Sequence, residues 1–419
     1  MRGGDAGGLR AFNERRVIDA VLRAGALSKA EVARATGLSG QSASVIVERL
    51  VEQGLLAKGD KVRGRGQPST PVSVAGSGAF SLGVKIGRRS VEARLIDLTG
   101  ETVAERATRL EAPLPGPVME AATGQARELL EAMSPAHRAR LCGVGLALPG
   151  EMDAWADELG APKAALAGWR AVDPGAMLAA ATGAEVSVFN DAAAACAAEM
   201  LTGEALEAGC ALYVHVGAFI GAGVVLDGRL YRGARLNAGA LGSMPLAGRV
   251  PGAKGRQLIH AASGVGLARR LRAAGIDVTR AMAGLGGAEA DAQFADWLAG
   301  AAPALARAVV SAMAVIDFEA VAIDGVLPPA WRLRLLDATH EAVLRFDRTG
   351  LSPAELREGT IGGEARVLGA ALLPLQARFS PEPDLLINRR RARAAAGPTA
   401  LDPAPGFEAP SPHLDRWRS

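Results

Sequence analysis

Asn190 and Asp191 close the apolar run "SVF" and open the alanine-rich stretch "NDAAAACAAEM". A carboxylate beside a side-chain amide at the end of a strand can take a proton from a sugar hydroxyl while the amide holds a neighbouring hydroxyl. The same pair also reads as a helix N-cap, because either side chain can accept from the first free amides of a helix. Downstream, "VGAFIGAGVVLDGRLYRG" (residues 216–233) sets Gly217 and Gly221 between two apolar runs, a pattern that lets backbone approach a phosphate. Phosphoryl transfer needs a base for the attacking hydroxyl, carboxylates for Mg²⁺ and donors on the phosphates.

A second chemistry sits at the amino end. Through Thr70 there are 12 lysines and arginines against 7 acids, while the remainder carries 35 against 37. The overall charge of +3 therefore hides a basic head, and a polyanion is its expected partner. Within it, "NERRVIDAVLRAGALS" repeats apolar residues at helical spacing and breaks at Gly25. "SKAEVARATGLS" follows with Ser28 as N-cap, Glu31 completing a capping box and Gly37 supplying the turn. A third helix starts near Ser39; Ala43, Ile46, Val47, Leu50 and Val51 form its apolar stripe, leaving Gln41, Ser42, Ser44, Val45, Glu48 and Arg49 on the outer face. Two strand-like runs then flank a loop holding Arg63, Arg65 and Gln67, with Gly64 and Gly66 beside the arginines. Three helices and a basic loop of this kind predict a winged helix-turn-helix on double-stranded DNA: Gln41, Ser42, Ser44 and Arg49 in the major groove, Arg63, Arg65 and Gln67 on the minor groove or phosphates.

The elements that must position the Asn-Asp pair follow from Ser81 onward. Buried strand runs alternate with Ala-rich helices, giving an α/β body. With 419 residues, 49% of them hydrophobic, the chain can bury several cores. No apolar run reaches the roughly 20 residues of a membrane span, and the amino end lacks a signal-peptide core, so a cytoplasmic protein with no membrane partner is expected. Cys142, Cys196 and Cys210 stand singly, as buried thiols do in a reducing compartment.

The series "GVKIG", "GVGLALPG", "VFNDAAAACAAE", "GAFIGAGVVLDGRLYRGARLNAGALGSMP" and "GGEARVLGAALLPL", behind a winged helix, resembles the ROK family of repressors, open reading frames and sugar kinases. The resemblance runs from about Phe12 to Leu375. It implies an actin-like (sugar-kinase) α/β fold of two lobes around a cleft, with lobes at 76–190 and 191–376 behind the winged helix at residues 1–75; the tail at 377–419, rich in Pro, Ala and Arg without sustained periodicity, is expected to be disordered. It also implies a DNA-binding transcriptional regulator, a repressor, acting as a homodimer or higher homo-oligomer, with a small sugar or sugar derivative as candidate effector.

Residue by residue, the resemblance makes Asp191 the vestige of the catalytic base and Asn190 its sugar-binding neighbour, with Pro149 and Gly150 in the same cleft. Gly87, Gly217 and Gly221 mark two vestigial phosphate loops. Where the family's kinases carry Asp-x-Gly-Gly-Thr, this chain has Lys85, Ile86, Gly87, Arg88 and Arg89; where they carry Gly-Thr-Gly-Ile-Gly, it has Gly217, Ala218, Phe219, Ile220 and Gly221. Ala240 and Ser243 replace a glutamate and a histidine, and Lys163 replaces an asparagine, where it is a candidate partner for an anionic ligand. The segment matching the family's zinc-binding cysteines, "AGRVPGAKGRQLIH", holds no cysteine, and His260 alone cannot hold zinc. The expectation is a non-catalytic regulator with no cofactor and no metal. The alternatives are a hexose kinase using Asp191 and a ligand-independent DNA-binding or architectural protein.

Overall fold

The computed structural model describes residues 6–60, 70–150, 152–153, 156, 161–246 and 256–381. Its first helices form where local sequence dictates. α1 (Ala6–Ala24) stops before Gly25, whose φ of 76° few other residues tolerate. α2 (Lys29–Thr36) opens on the Ser28/Glu31 capping box and closes on left-handed Gly37; α3 (Gly40–Glu52) is capped by the Ser39 hydroxyl, which accepts from the Ser42 amide. Val17, Val21, Val32, Val47 and Leu50 bury the three helices against each other. β1 (Leu56–Lys58) and β2 (Val72–Val74) pair antiparallel, and Leu27 bridges to Val72, so the wing's base is a small sheet.

The first half of the body is a five-stranded sheet: β3 (Phe80–Ile86), β4 (Ser90–Asp97), β5 (Thr102–Arg109), β6 (Leu141–Leu148) and β7 (Val186–Asn190), in the order β5-β4-β3-β6-β7. Helices α4 (Pro115–Glu131), α5 (Pro135–Arg138), α6 (Lys163–Leu166) and α7 (Pro174–Thr182) connect or cover it. After α8 (Asp191–Thr202), a second sheet repeats the plan with β8 (Ala211–Val216), β9 (Ile220–Leu226), β10 (Arg229–Tyr231), β11 (Ala320–Gly325) and β12 (Glu355–Glu358), in the order β10-β9-β8-β11-β12. In each sheet the first three strands run antiparallel and the last two lie parallel to the central one. The chain thus folds one topology twice, as an actin-like body requires. The turn from β9 to β10 is Asp227-Gly228, with φ of 54° and 67°, as a two-residue hairpin needs.

Helices α9 (Leu258–Ala262), α10 (Gly264–Ala273), α11 (Val278–Met282), α12 (Gly287–Met313) and α13 (Pro329–Leu344) pack on the second sheet. α14 (Ala365–Phe379) returns to the first sheet and lies between it and α8. Glycine permits that approach: a Cβ on Gly145 would strike the Ala370 carbonyl, and one on Gly369 the Ala194 carbonyl. The expected tail from 377 is corrected at its start, because α14 stays helical through Phe379, which also packs against the winged-helix core; residues 382–419 lie outside the described residues. Among the described residues no helix is long and apolar enough to cross a membrane.

Candidate functional site

On α3, Gln41, Ser42 and Val45 are exposed and Ser44 is half-buried, so the face opposite the core stripe is free to meet a groove. Arg49 differs from the expectation of a base contact. Its guanidinium lies 2.7 Å from the Glu14 carboxylate and ties α3 to α1. Its position one turn before the end of α3 places it over α1 rather than at the helix's free N-terminal end. Glu48 is held at 2.5 Å by Lys29 and at 2.8 Å by Lys58, and these two ammonium groups hold its carboxyl down to about 2. Arg63, Arg65 and Gln67 lie outside the described residues.

Between the two sheets lies a cavity of about 550 Å³. Pro149 and Gly150 reach it from the end of β6, Asn190 and Asp191 from the junction of β7 and α8, Gly221 from β9, and Ala240 and Ser243 from the loop after β10. These segments are up to 94 residues apart in sequence, and the repeated topology gathers them because both central strands end at the same crevice. Asn190 is both things its sequence suggested: its side-chain oxygen caps α8 by accepting from the Ala192 and Ala193 amides, and the residue lines the cavity. Lys163 is a correction. It is exposed at the first position of α6 and lines neither this cavity nor the one adjoining it.

A second cavity of about 440 Å³ adjoins the first through Arg88, Ala218 and Arg366, and Gly217 lines it. Gly87 lines neither; it gives the β3–β4 turn room, since a Cβ there would meet the Lys85 side chain at 2.8 Å. Phe219 packs its ring under the Arg88 guanidinium, 4.4 Å away, so aromatic and cation from the two loops stack on each other.

Three titratable groups organise this crevice, Arg366, Lys85 and His215, and sequence reasoning selected neither Arg366 nor His215. Arg366, at the start of α14, lies 3.6 Å from Asp191, and its side chain is only 12% exposed. Lys85 is buried and paired with Glu92 at 2.7 Å; burial, with Arg366 nearby, pushes its ammonium down to about 8. His215 lies on β8 with Nδ1 3.3 Å from the Tyr213 hydroxyl, which donates to Asp324 at 2.7 Å. With the Tyr213 proton committed to Asp324, Nδ1 carries the hydrogen and Nε2 is an acceptor. Nε2 is buried without a hydrogen-bond partner among the described residues. Burial, then Arg366, Lys85 and Arg332, holds the imidazole well below its usual range, so it is neutral. Asp324 is pushed up by burial while Tyr213 and the Gly362 amide donate to it. The one sequence signal for Arg366 was a basic residue opening an otherwise apolar helix, "GGEARVLGAALLPL". Among the described residues, no three His, Cys, Asp or Glu side chains gather closely enough to hold a metal ion.

The family model for the ROK family matches residues 81–377. The chain belongs to the ROK family. Ahead of that domain, residues 11–66 match the MarR family, in agreement with the winged helix. The ROK chain is 27% identical over 375 residues to an uncharacterized protein, y4fQ, of Sinorhizobium fredii (strain NBRC 101917 / NGR234), covering 88% of this chain and 92% of that one. It is 24% identical over 243 residues to the xylose repressor of Bacillus subtilis (strain 168), covering 57% of this chain and 61% of the repressor. Among solved structures, a ROK family transcriptional regulator described as a homolog of the E. coli MLC protein superposes with a TM-score of 0.64 at 22% identity, over 89% of this chain and 97% of that chain. That likeness establishes the order of winged helix and two-lobed body as a fold.

Proposed function

We propose that this ROK-family protein is a sequence-specific DNA-binding transcriptional regulator, a repressor, whose kinase-like body senses a small sugar or sugar derivative and transfers no phosphate. The observation that carries the reading is one chain holding both a capped recognition helix with Gln41, Ser42 and Val45 exposed and a cleft whose remaining base, Asp191, is paired with Arg366. A kinase base must be open to the substrate hydroxyl and share its site with metal-binding acids. Here Arg366 occupies one side of Asp191, and Glu92, the nearby carboxylate on β4, is taken by Lys85. The xylose repressor among the relatives supports a sugar as effector.

The chain acts as a homodimer in the cytoplasm, placing two α3 helices in successive major grooves about one turn apart. Asn190, Asn237, Ser243 and His215 Nε2 offer donors and acceptors to ligand hydroxyls in the first cavity. A ligand touching both sheets changes their separation and so the spacing of the heads, provided it binds the DNA-free form more tightly. The test is fluorescence anisotropy on DNA upstream of its own gene, titrated with xylose, glucose and N-acetylmannosamine. Release of DNA by one sugar supports the reading; a panel that leaves DNA affinity and thermal midpoint unchanged removes the sensing half. ATP turnover that disappears in Asp191→Asn would restore the kinase.

A further inference from the structure

We propose that Glu48 sets the DNA specificity of this chain by holding Lys29 and Lys58 away from phosphates, which keeps affinity for unrelated DNA low. This rests on the DNA-binding reading above and gives a role to an outer-face position of α3. Gln41, Val45 and Glu48 stand at i, i+4 and i+7, so one outward stripe of the helix carries all three. Lys29 reaches Glu48 from the first position of α2, at 2.5 Å, and Lys58 from the last position of β1, at 2.8 Å. Each ammonium takes a different oxygen of the carboxylate. Recognition helix, neighbouring helix and the base of the wing thus meet at one acid.

The three side chains are 38% to 46% exposed, and ion pairs this open contribute little to stability. Their consequence is in charge: two cations and one anion leave +1 where the lysines alone would present +2. Hydrogen bonds from the Lys29 and then the Lys58 ammonium hold the Glu48 carboxyl down to about 2, so the anion persists throughout the neutral range. Unrelated DNA is bound almost entirely through phosphates, and each one neutralised adds about 0.9 to the salt slope. Freed lysines would add such contacts on any sequence, and the carboxylate itself repels the backbone. On the recognised sequence, base contacts fix α3 in the groove, and the lysines gain only what that geometry allows. On unrelated DNA the helix settles wherever they meet phosphates, so loss of Glu48 favours the wrong sites. With about 10⁶–10⁹ such sites in a genome, that ratio decides occupancy.

The test is fluorescence anisotropy of the full chain on DNA upstream of its own gene and on random DNA, at several salt concentrations. Glu48→Gln keeps the size of an open side chain and removes its charge. It should raise affinity for random DNA at least about fivefold, steepen the salt slope there by about 1 to 2, and shrink the preference for the upstream DNA. Glu48→Asp, which keeps the charge, should return the slope towards the native value. Lys29→Gln and Lys58→Gln should each lower the slope by less than about 0.5 in the native chain and by about 0.9 in the Glu48→Gln background, because only there are the lysines free. An unchanged slope in Glu48→Gln overturns the proposal. So does weaker binding to both DNAs, which would make Glu48 a positioning residue for the lysines. Loss of affinity for the upstream DNA alone also overturns it and would make Glu48 a reader of bases. A native chain that binds both DNAs weakly and equally overturns the DNA-binding reading, and this proposal with it.

Discussion

The two central strands of the body are equivalent in topology and differ in what they present to the crevice. β3 ends in Lys85 and Ile86 before Gly87, and β8 in His215 and Val216 before Gly217, so a basic side chain stands two residues before the turn glycine in each sheet. In the first sheet the buried cation is kept by one partner, Glu92, on the neighbouring strand. In the second, His215 is kept neutral and tied through Tyr213 to Asp324 on the opposite neighbour, β11. Arg366 comes between the two and lowers the proton affinity of both. The turns that follow carry Arg88 and Phe219, which stack. A duplicated fold thus fixes where side chains meet, while the residues at equivalent positions decide how each central strand is braced and what it presents to the crevice.

The largest expected effect lies in the second sheet. Asp324→Ala leaves the Tyr213 hydroxyl and the Gly362 amide without their acceptor and should cost about 3 kcal/mol in chemical denaturation, as for a broken buried polar network. Glu92→Gln in the first sheet keeps an acceptor for Lys85 on a half-exposed side chain and should cost less than half as much, about 1 kcal/mol. Equal losses would mean the two strands are braced alike.

Acidity separates the two strands as well. His215 has a folded value below its unfolded one, so it stays neutral in the fold while the unfolded chain takes up a proton. Stability is therefore lost as pH falls below the unfolded value of about 6.5, by about 1 kcal/mol between pH 6.5 and 5.5. Asp324, raised by burial, works in the opposite direction at lower pH. Subtracting the pH profile of His215→Asn from that of the native chain isolates the histidine, and identical profiles would contradict its neutral burial.

The smallest effect is the meeting of the turns. A double-mutant cycle of Arg88→Ala and Phe219→Leu should give a coupling of about 1 kcal/mol, since the cation–π stack is largely desolvated. Additive losses would show that the two turns merely lie near each other.

What the sequence disclosed divides along the same line. The capping box of Ser28 and Glu31, the Gly37 turn and the Ser39 cap are set by residues within four positions of each other, and the helices begin and end there. Asn190 was readable because its cap is local to α8. Arg366 and Asp191 are 175 residues apart, and nothing near either announces the other; only the return of α14 to the first sheet brings them together. Lys163 failed for the converse reason: a motif position was carried over without the backbone that would aim it, and α6 turns it to solvent. Arg49 pairs with Glu14 because helical periodicity tells outer from inner face but not which outer residue an adjacent helix will claim.

The central claim is that α3 reads DNA. Its most direct test is fluorescence anisotropy of the native chain and of Gln41→Ala with Ser44→Ala on DNA upstream of its own gene and on random DNA, at several salt concentrations. The native chain should discriminate between the two DNAs, and the variant should lose discrimination, at about 1–3 kcal/mol per lost base contact, while keeping its salt slope, because phosphate contacts elsewhere remain. Binding that is weak and equal on both DNAs for native chain and variant alike would contradict the claim.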